Sequence, residues 1–109
     1  MPFKCNEPAV PSVQHEDDAV KITRWDFAPD AATGWHTHGW PYFIVLVTDA
    51  LLKVEANGTV TETPFKAGDS YRRPAGIEHD VMNGSPHAIA FVEIEIKRPE
   101  ALAQTTTKT

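Results

Sequence analysis

Turn-forming residues interrupt this chain so often that no long helix has room to form. Pro29-Asp30, Asn57-Gly58, Ala67-Gly68-Asp69, Pro74-Ala75-Gly76 and Asn83-Gly84-Ser85-Pro86 punctuate it, and nine prolines and six glycines fall among 109 residues. Glycine admits positive φ and proline fixes φ, so each cluster favours a reversal of the backbone. Between the clusters lie short runs rich in β-branched and aromatic side chains, the composition of strands. Val20 to Phe27 reads as one strand, and Trp35 to Thr48 as a longer one bent near Gly39 or Pro41. Leu51 to Ala56 and Thr59 to Phe65 flank Asn57-Gly58, a strong hairpin signal. Ser70 to Arg73, His79 to Met82 and Ala88 to Lys97 complete the set. No stretch shows helical periodicity. Val92-Glu93-Ile94-Glu95-Ile96-Lys97 alternates strictly, which predicts one buried apolar face and one wet face. About seven strands at this spacing predict an all-β sandwich or barrel.

The length suits a single domain. The expected division is an N-terminal arm over 1–15, one barrel over 16–98 and a polar C-terminal tail over 99–109. Ten basic against fifteen acidic residues give a net charge of −5, which argues against nucleic acid or an anionic membrane as a partner. It fits a protein that handles a small molecule. The single cysteine, Cys5, rules out an internal disulfide and reads as an incidental thiol. No apolar run approaches the roughly 20 residues that span a bilayer. Met1 to Gln14 is polar and carries three prolines, unlike a secretory signal, so a cytoplasmic location is expected.

The stretch Gly34-Trp35-His36-Thr37-His38-Gly39-Trp40-Pro41-Tyr42 places two histidines two residues apart. In a strand, residues i and i+2 project from one face, so His36 and His38 can meet one metal ion. The alternative is a pair of exposed imidazoles on a strand edge. His79 follows the Pro74-Ala75-Gly76 turn, which can swing it into the same interior. Taken alone, it reads equally as a half-buried histidine bonded to backbone.

Gly68, Pro74-Ala75-Gly76, His79 and Asn83, at their spacing, resemble the second characteristic motif of the cupin superfamily, and His36-Thr37-His38 resembles the core of the first. Together these segments span residues 34 to 83, and the chain is identified as a member of the small single-domain, RmlC-like cupins. The segments "RWDFAPDAATGWHTHG" and "GDSYRRPAGIEHDVMN" are most similar to cupins of β-alanine degradation. The resemblance implies a double-stranded β-helix, or jelly-roll barrel, with a metal on His36, His38 and His79. The first motif normally adds a glutamate three or four residues after its second histidine, but Tyr42 and Phe43 end those intervals here. The motif's later glycine is replaced by Asp49, a residue able to adopt a left-handed turn.

Without the glutamate, the implied donor set is three neutral imidazoles. Such a set suits a divalent transition metal (Fe, Zn, Ni, Cu or Mn, with Fe or Zn favoured) rather than calcium or magnesium. Tyr42 shares parity with His36 and His38 and is the candidate catalytic residue. It could bind the metal, donate a hydrogen bond to a bound oxygen, or line the wall. Trp40 shares the same parity and is a candidate substrate contact. Arg73, which alternates with Tyr71, is a candidate carboxylate clamp, with a surface ion pair as the alternative. His15 and His87 read as surface residues. Trp25, Phe27, Trp35 and Met82 read as lining or core.

Similar three-histidine cupins include thiol dioxygenases and acetylacetone-cleaving dioxygenases, so the resemblance implies a non-heme ferrous dioxygenase acting on a small organic molecule. A zinc ion would instead favour hydrolysis or lyase chemistry. Competing readings are a binding or sensor cupin with a ligand-holding metal, and a metal-free structural barrel. Small cupins usually dimerise. Ile89 and Phe91 lie opposite Val92, Ile94 and Ile96, leaving apolar surface for a second copy, so a homodimer is expected.

Overall fold

The computed structural model describes residues 7–98. Cys5 and the 99–109 tail lie outside the described residues. Nine strands and no helix occur among the described residues: β1 (Val10–Glu16), β2 (Val20–Phe27), β3 (His36–Thr37), β4 (Tyr42–Leu46), β5 (Ala50–Ala56), β6 (Thr59–Phe65), β7 (Ser70–Arg73), β8 (Glu78–Asn83) and β9 (Ile89–Ile96). They form a five-stranded sheet, β1-β2-β9-β4-β7, and a four-stranded sheet, β3-β8-β5-β6, with every strand pair antiparallel. This is the all-β barrel that the turn spacing predicts, with the jelly-roll form that the cupin resemblance implies.

The strand read over 35–48 is two strands in different sheets. Gly39-Trp40-Pro41 breaks it, sending β3 to the smaller sheet and β4 to the larger. Proline cannot donate to a ladder, so a break here loses little pairing. The Asn57-Gly58 hairpin forms as read, with φ of 53° and 76° at its two central residues. Positive φ at both is the type I′ signature that matches the twist of the flanking strands. Asp49 departs from expectation. Among the described residues only Asp30 and Asn57 are non-glycine residues at positive φ. Asp49 instead accepts a 2.9 Å hydrogen bond from the Ala67 amide through its carboxylate, closing the loop with its side chain rather than its backbone.

The core fills the space between the sheets. Phe27, Leu46 and Leu52 are each 1% exposed, and Tyr42, Ile44, Ile89 and Phe91 join them. Burying a side chain of this size contributes about 1.5–3 kcal/mol. Asn83 closes one end. It is fully buried, its amide nitrogen lies 2.8 Å from the His87 carbonyl and 3.2 Å from that of Ala28, and its side-chain oxygen accepts from the Ser85 amide at 2.8 Å. The motif asparagine thus satisfies loop backbone that would otherwise be buried without partners.

Two expectations change on the larger sheet. Residues 10–15, read as part of an arm, belong to strand β1, paired with β2 along the sheet edge and exposed throughout. Strand β9 alternates as read, but its faces are reversed. Glu93 is buried with Phe91 and Ile89, whereas Val92, Ile94 and Ile96 lie half-buried on the outer face. The core residues Ile89 and Phe91 fix which face points inward, and Glu93 and Glu95 follow by parity.

Candidate metal centre

Strands β3 and β8 pair so that His36 and His79 are directly opposite, and His38 follows two residues after His36. His38 is held by backbone: its amide donates to the Ile77 carbonyl at 2.8 Å, and its carbonyl accepts from the Gly76 amide at 2.8 Å. Gly76 has φ of 93°, a conformation that the glycine of the Pro-Ala-Gly turn permits. The turn therefore clamps His38 beside His79.

The three rings turn inward and crowd together. His38 Nε2 lies 2.9 Å from His36 Nε2 and 3.0 Å from His79 Nε2. One ring nitrogen holds either one proton or one lone pair, in the ring plane, so it cannot serve two such hydrogen bonds well. A shared cation resolves the crowding. His36 Nδ1 lies 2.8 Å from the Gly34 carbonyl, which can only accept, so Nδ1 carries the proton and Nε2 presents its lone pair. Burial holds His38 down to about 4 and His79 to about 3, and the closeness of the His36 ring, which disfavours a second positive charge beside it, adds to both. Both rings are thus neutral near pH 7, the form that ligates metal. The donor set fits a divalent transition metal.

The histidines open onto a cavity of about 360 Å³ whose wall includes Thr23, Trp25, Tyr42, Ile44, Tyr71, Phe91, Glu93 and Glu95. Tyr42 is 2% exposed and stacks on His38, with ring centroids 3.9 Å apart and planes inclined by 21°. That contact fixes the His38 ring. Burial pushes the Tyr42 phenol well above its ordinary range, so it stays protonated and able to donate.

Glu93 was read as lying on a wet face, and the structure places it inside. Its Oε1 accepts from the Trp25 indole N–H at 3.2 Å, and its Oε2 stands 3.7 Å from His38 Nδ1. That second distance is too long for a direct hydrogen bond. Nδ1 is on the ring edge away from Nε2, so Glu93 stands behind His38 and is not a fourth ligand of the same ion. Burial pushes the Glu93 carboxyl up to about 7, opposed by the indole hydrogen bond.

The other candidates fall elsewhere. Trp40 is not among the residues lining this cavity. It sits in the Gly39–Pro41 break, where strand parity no longer applies, and the Lys97 ammonium lies 5.6 Å from its ring centroid. Arg73 is opposite Tyr42 in register and lines a second cavity, also bounded by Arg72, that shares Tyr42, Tyr71, His79 and Val81 with the first. Trp35, read as lining or core, is 53% exposed. Met82 is buried as read.

A two-sheet antiparallel barrel with three converging imidazoles that could hold a metal is the arrangement of the cupins. A crystal structure of a cupin domain from Bordetella pertussis Tohama I superimposes with a TM-score of 0.81 at 41% identity, covering 84% of this chain and 96% of that one. A double-stranded β-helix protein from Klebsiella pneumoniae matches with a TM-score of 0.70 at 24% identity over 84% and 79% of the two chains, showing the shared fold. No family model matches. The chain belongs to the cupin superfamily. It is similar to the β-alanine degradation protein BauB of Pseudomonas aeruginosa, 47% identical over 89 residues, which are 82% of this chain and 94% of that protein.

Proposed function

We propose that this cupin is a metal-dependent enzyme, a non-heme ferrous dioxygenase acting on a small organic molecule. The observation that carries this reading is the convergence of the His36, His38 and His79 Nε2 atoms beside a cavity large enough for a small metabolite. His36, His38 and His79 would hold the ion through imidazole nitrogens, a donor set that suits iron as well as zinc, and three protein ligands would leave room for substrate and oxygen. Bound iron would supply the means to bring dioxygen and substrate together, and a dioxygenase reaction places both oxygen atoms in product without an external reductant. The chain's own residues do the rest. Tyr42 holds a proton available at its phenol oxygen, Trp25 and Phe91 give the cavity apolar wall, and Arg73 offers a carboxylate clamp at the neighbouring cavity. The name of the Pseudomonas relative supports a small-metabolite substrate. No helix among the described residues is long and apolar enough to cross a membrane. We place the protein in the cytoplasm, whose reducing conditions suit a ferrous site.

Oxygen uptake by anaerobically iron-loaded protein, across thiols, diketones and organic acids, is the direct test. Turnover with at least one class is expected, and no turnover with any first-row metal would overturn the enzymatic reading. The absence of the motif glutamate favours a second reading, a binding or sensor cupin whose metal holds a ligand. Tight ligand binding without product marks that case.

A further inference from the structure

Glu93 is a buried carboxylate that no lysine or arginine side chain among the described residues reaches directly; Lys21 acts on it only from a distance. It is 8% exposed, and no lysine or arginine nitrogen comes within 4.0 Å of it. Lys21 lines the same cavity, but its register partner is Glu95, whereas Glu93 is opposite Thr23 and Ile44. Oε1 has the Trp25 indole; Oε2 faces the His38 ring at 3.7 Å, beyond hydrogen-bond reach. A carboxylate withdrawn from water needs a donor to complement it, and here the open side is the cavity. At the histidine end the need is opposite. Three neutral imidazoles leave the charge of a divalent ion uncompensated, which draws an anionic ligand.

We propose that the cavity selects small amine-bearing carboxylates, with Glu93 accepting hydrogen bonds from the ligand's ammonium group and the ligand's carboxylate directed to the histidine end. This rests on the metal-centre reading and adds to it the class of ligand and the residue that discriminates. Neither alternative role of Glu93 fits the geometry. It stands on the wrong edge of His38 to ligate the same ion, and it is too far from Nδ1 to hold that ring by a hydrogen bond.

The test compares the cobalt(II)-loaded wild-type chain with Glu93→Gln, using calorimetry with β-alanine and glycine against propionate and acetate. The wild type is expected to bind each amino acid roughly tenfold more tightly than its amine-free counterpart. Glu93→Gln should abolish that margin, leaving propionate affinity and the cobalt absorption spectrum unchanged. Equal wild-type affinities would overturn the proposal. So would a margin that survives in Glu93→Gln, which would be chelation by the ion alone. A folded Glu93→Gln that loses cobalt would make Glu93 a support for His38, overturning the proposal while the metal centre stands. A wild type that binds no cobalt would remove the metal centre and the proposal together.

Discussion

His79 illustrates how far a single side chain can be read. Its spacing from Pro74 and Gly76 marked it as a ligand candidate, and the structure brings its Nε2 to 3.0 Å from that of His38. Glu93 was not read as a site residue, because alternation pairs the faces of a strand without saying which is inside. The signal was present in Ile89 and Phe91, whose apolar character and equal parity carry Glu93 inward. The titration of these groups gives a prediction for the metal-free protein. His38 and His79 are held at about 4 and 3, below their ordinary 6.5, so as pH falls below 6.5 unfolding takes up two protons. Glu93, raised from 4.5 to about 7, releases one proton on unfolding between those values and offsets one histidine. Stability should therefore rise with pH from about 4.5 to 6.5, by at most on the order of 1 kcal/mol per pH unit from these three groups, with the raised Glu95 carboxyl opposing the rise. His79→Gln should remove about one proton from that dependence and abolish zinc or cobalt retention with the fold intact. Denaturant titrations over pH and metal analysis check both. An unchanged slope, or full metal content, would remove His79 from the site.

At the level of elements, bounds were legible wherever turn chemistry is local. Residues 20–27, 59–65 and 70–73 were read with their observed limits, since Pro29 follows the first and Asn57-Gly58, Gly68-Asp69 and Pro74 bound the other two. Strand β1 was missed because its seven residues are all exposed and show no buried face; its pairing with β2 is nonlocal. The break at 39–41 was legible as a bend, but the change of sheet was not, because partner choice depends on distant strands. The β5–β6 hairpin gives a clean test of turn chemistry. A Cβ at Gly58 would meet nothing within 4 Å, yet φ there is 76°, so Gly58→Ala changes backbone conformational energy and nothing else. It should cost about 1 kcal/mol, read as a shift in denaturation midpoint at constant m-value. No shift would mean that the turn relaxes to another type.

For the molecule as a whole, the reversal of β9 leaves an apolar outer face. Ile22, Phe43 and Ile94 are cross-strand neighbours there, as are Val45 and Val92, and all are only half-buried. Such a face invites a partner sheet, and we propose that a second copy of this chain covers it. Sedimentation should show a dimer, and Ile94→Lys should shift it to monomer while the chain stays folded. A wild-type monomer at micromolar concentration would refute the pairing.

The division of labour between the two sheets has one more consequence. His36 and His79 belong to the smaller sheet, whereas Tyr42, Trp25 and Glu93 belong to the larger. A guest that reaches from the cation to Glu93 is therefore a strut between the barrel's two halves, tying together walls otherwise joined by loops and side-chain packing. Occupancy by such a guest would then brace the barrel, an effect that should reach β9 as well as β8.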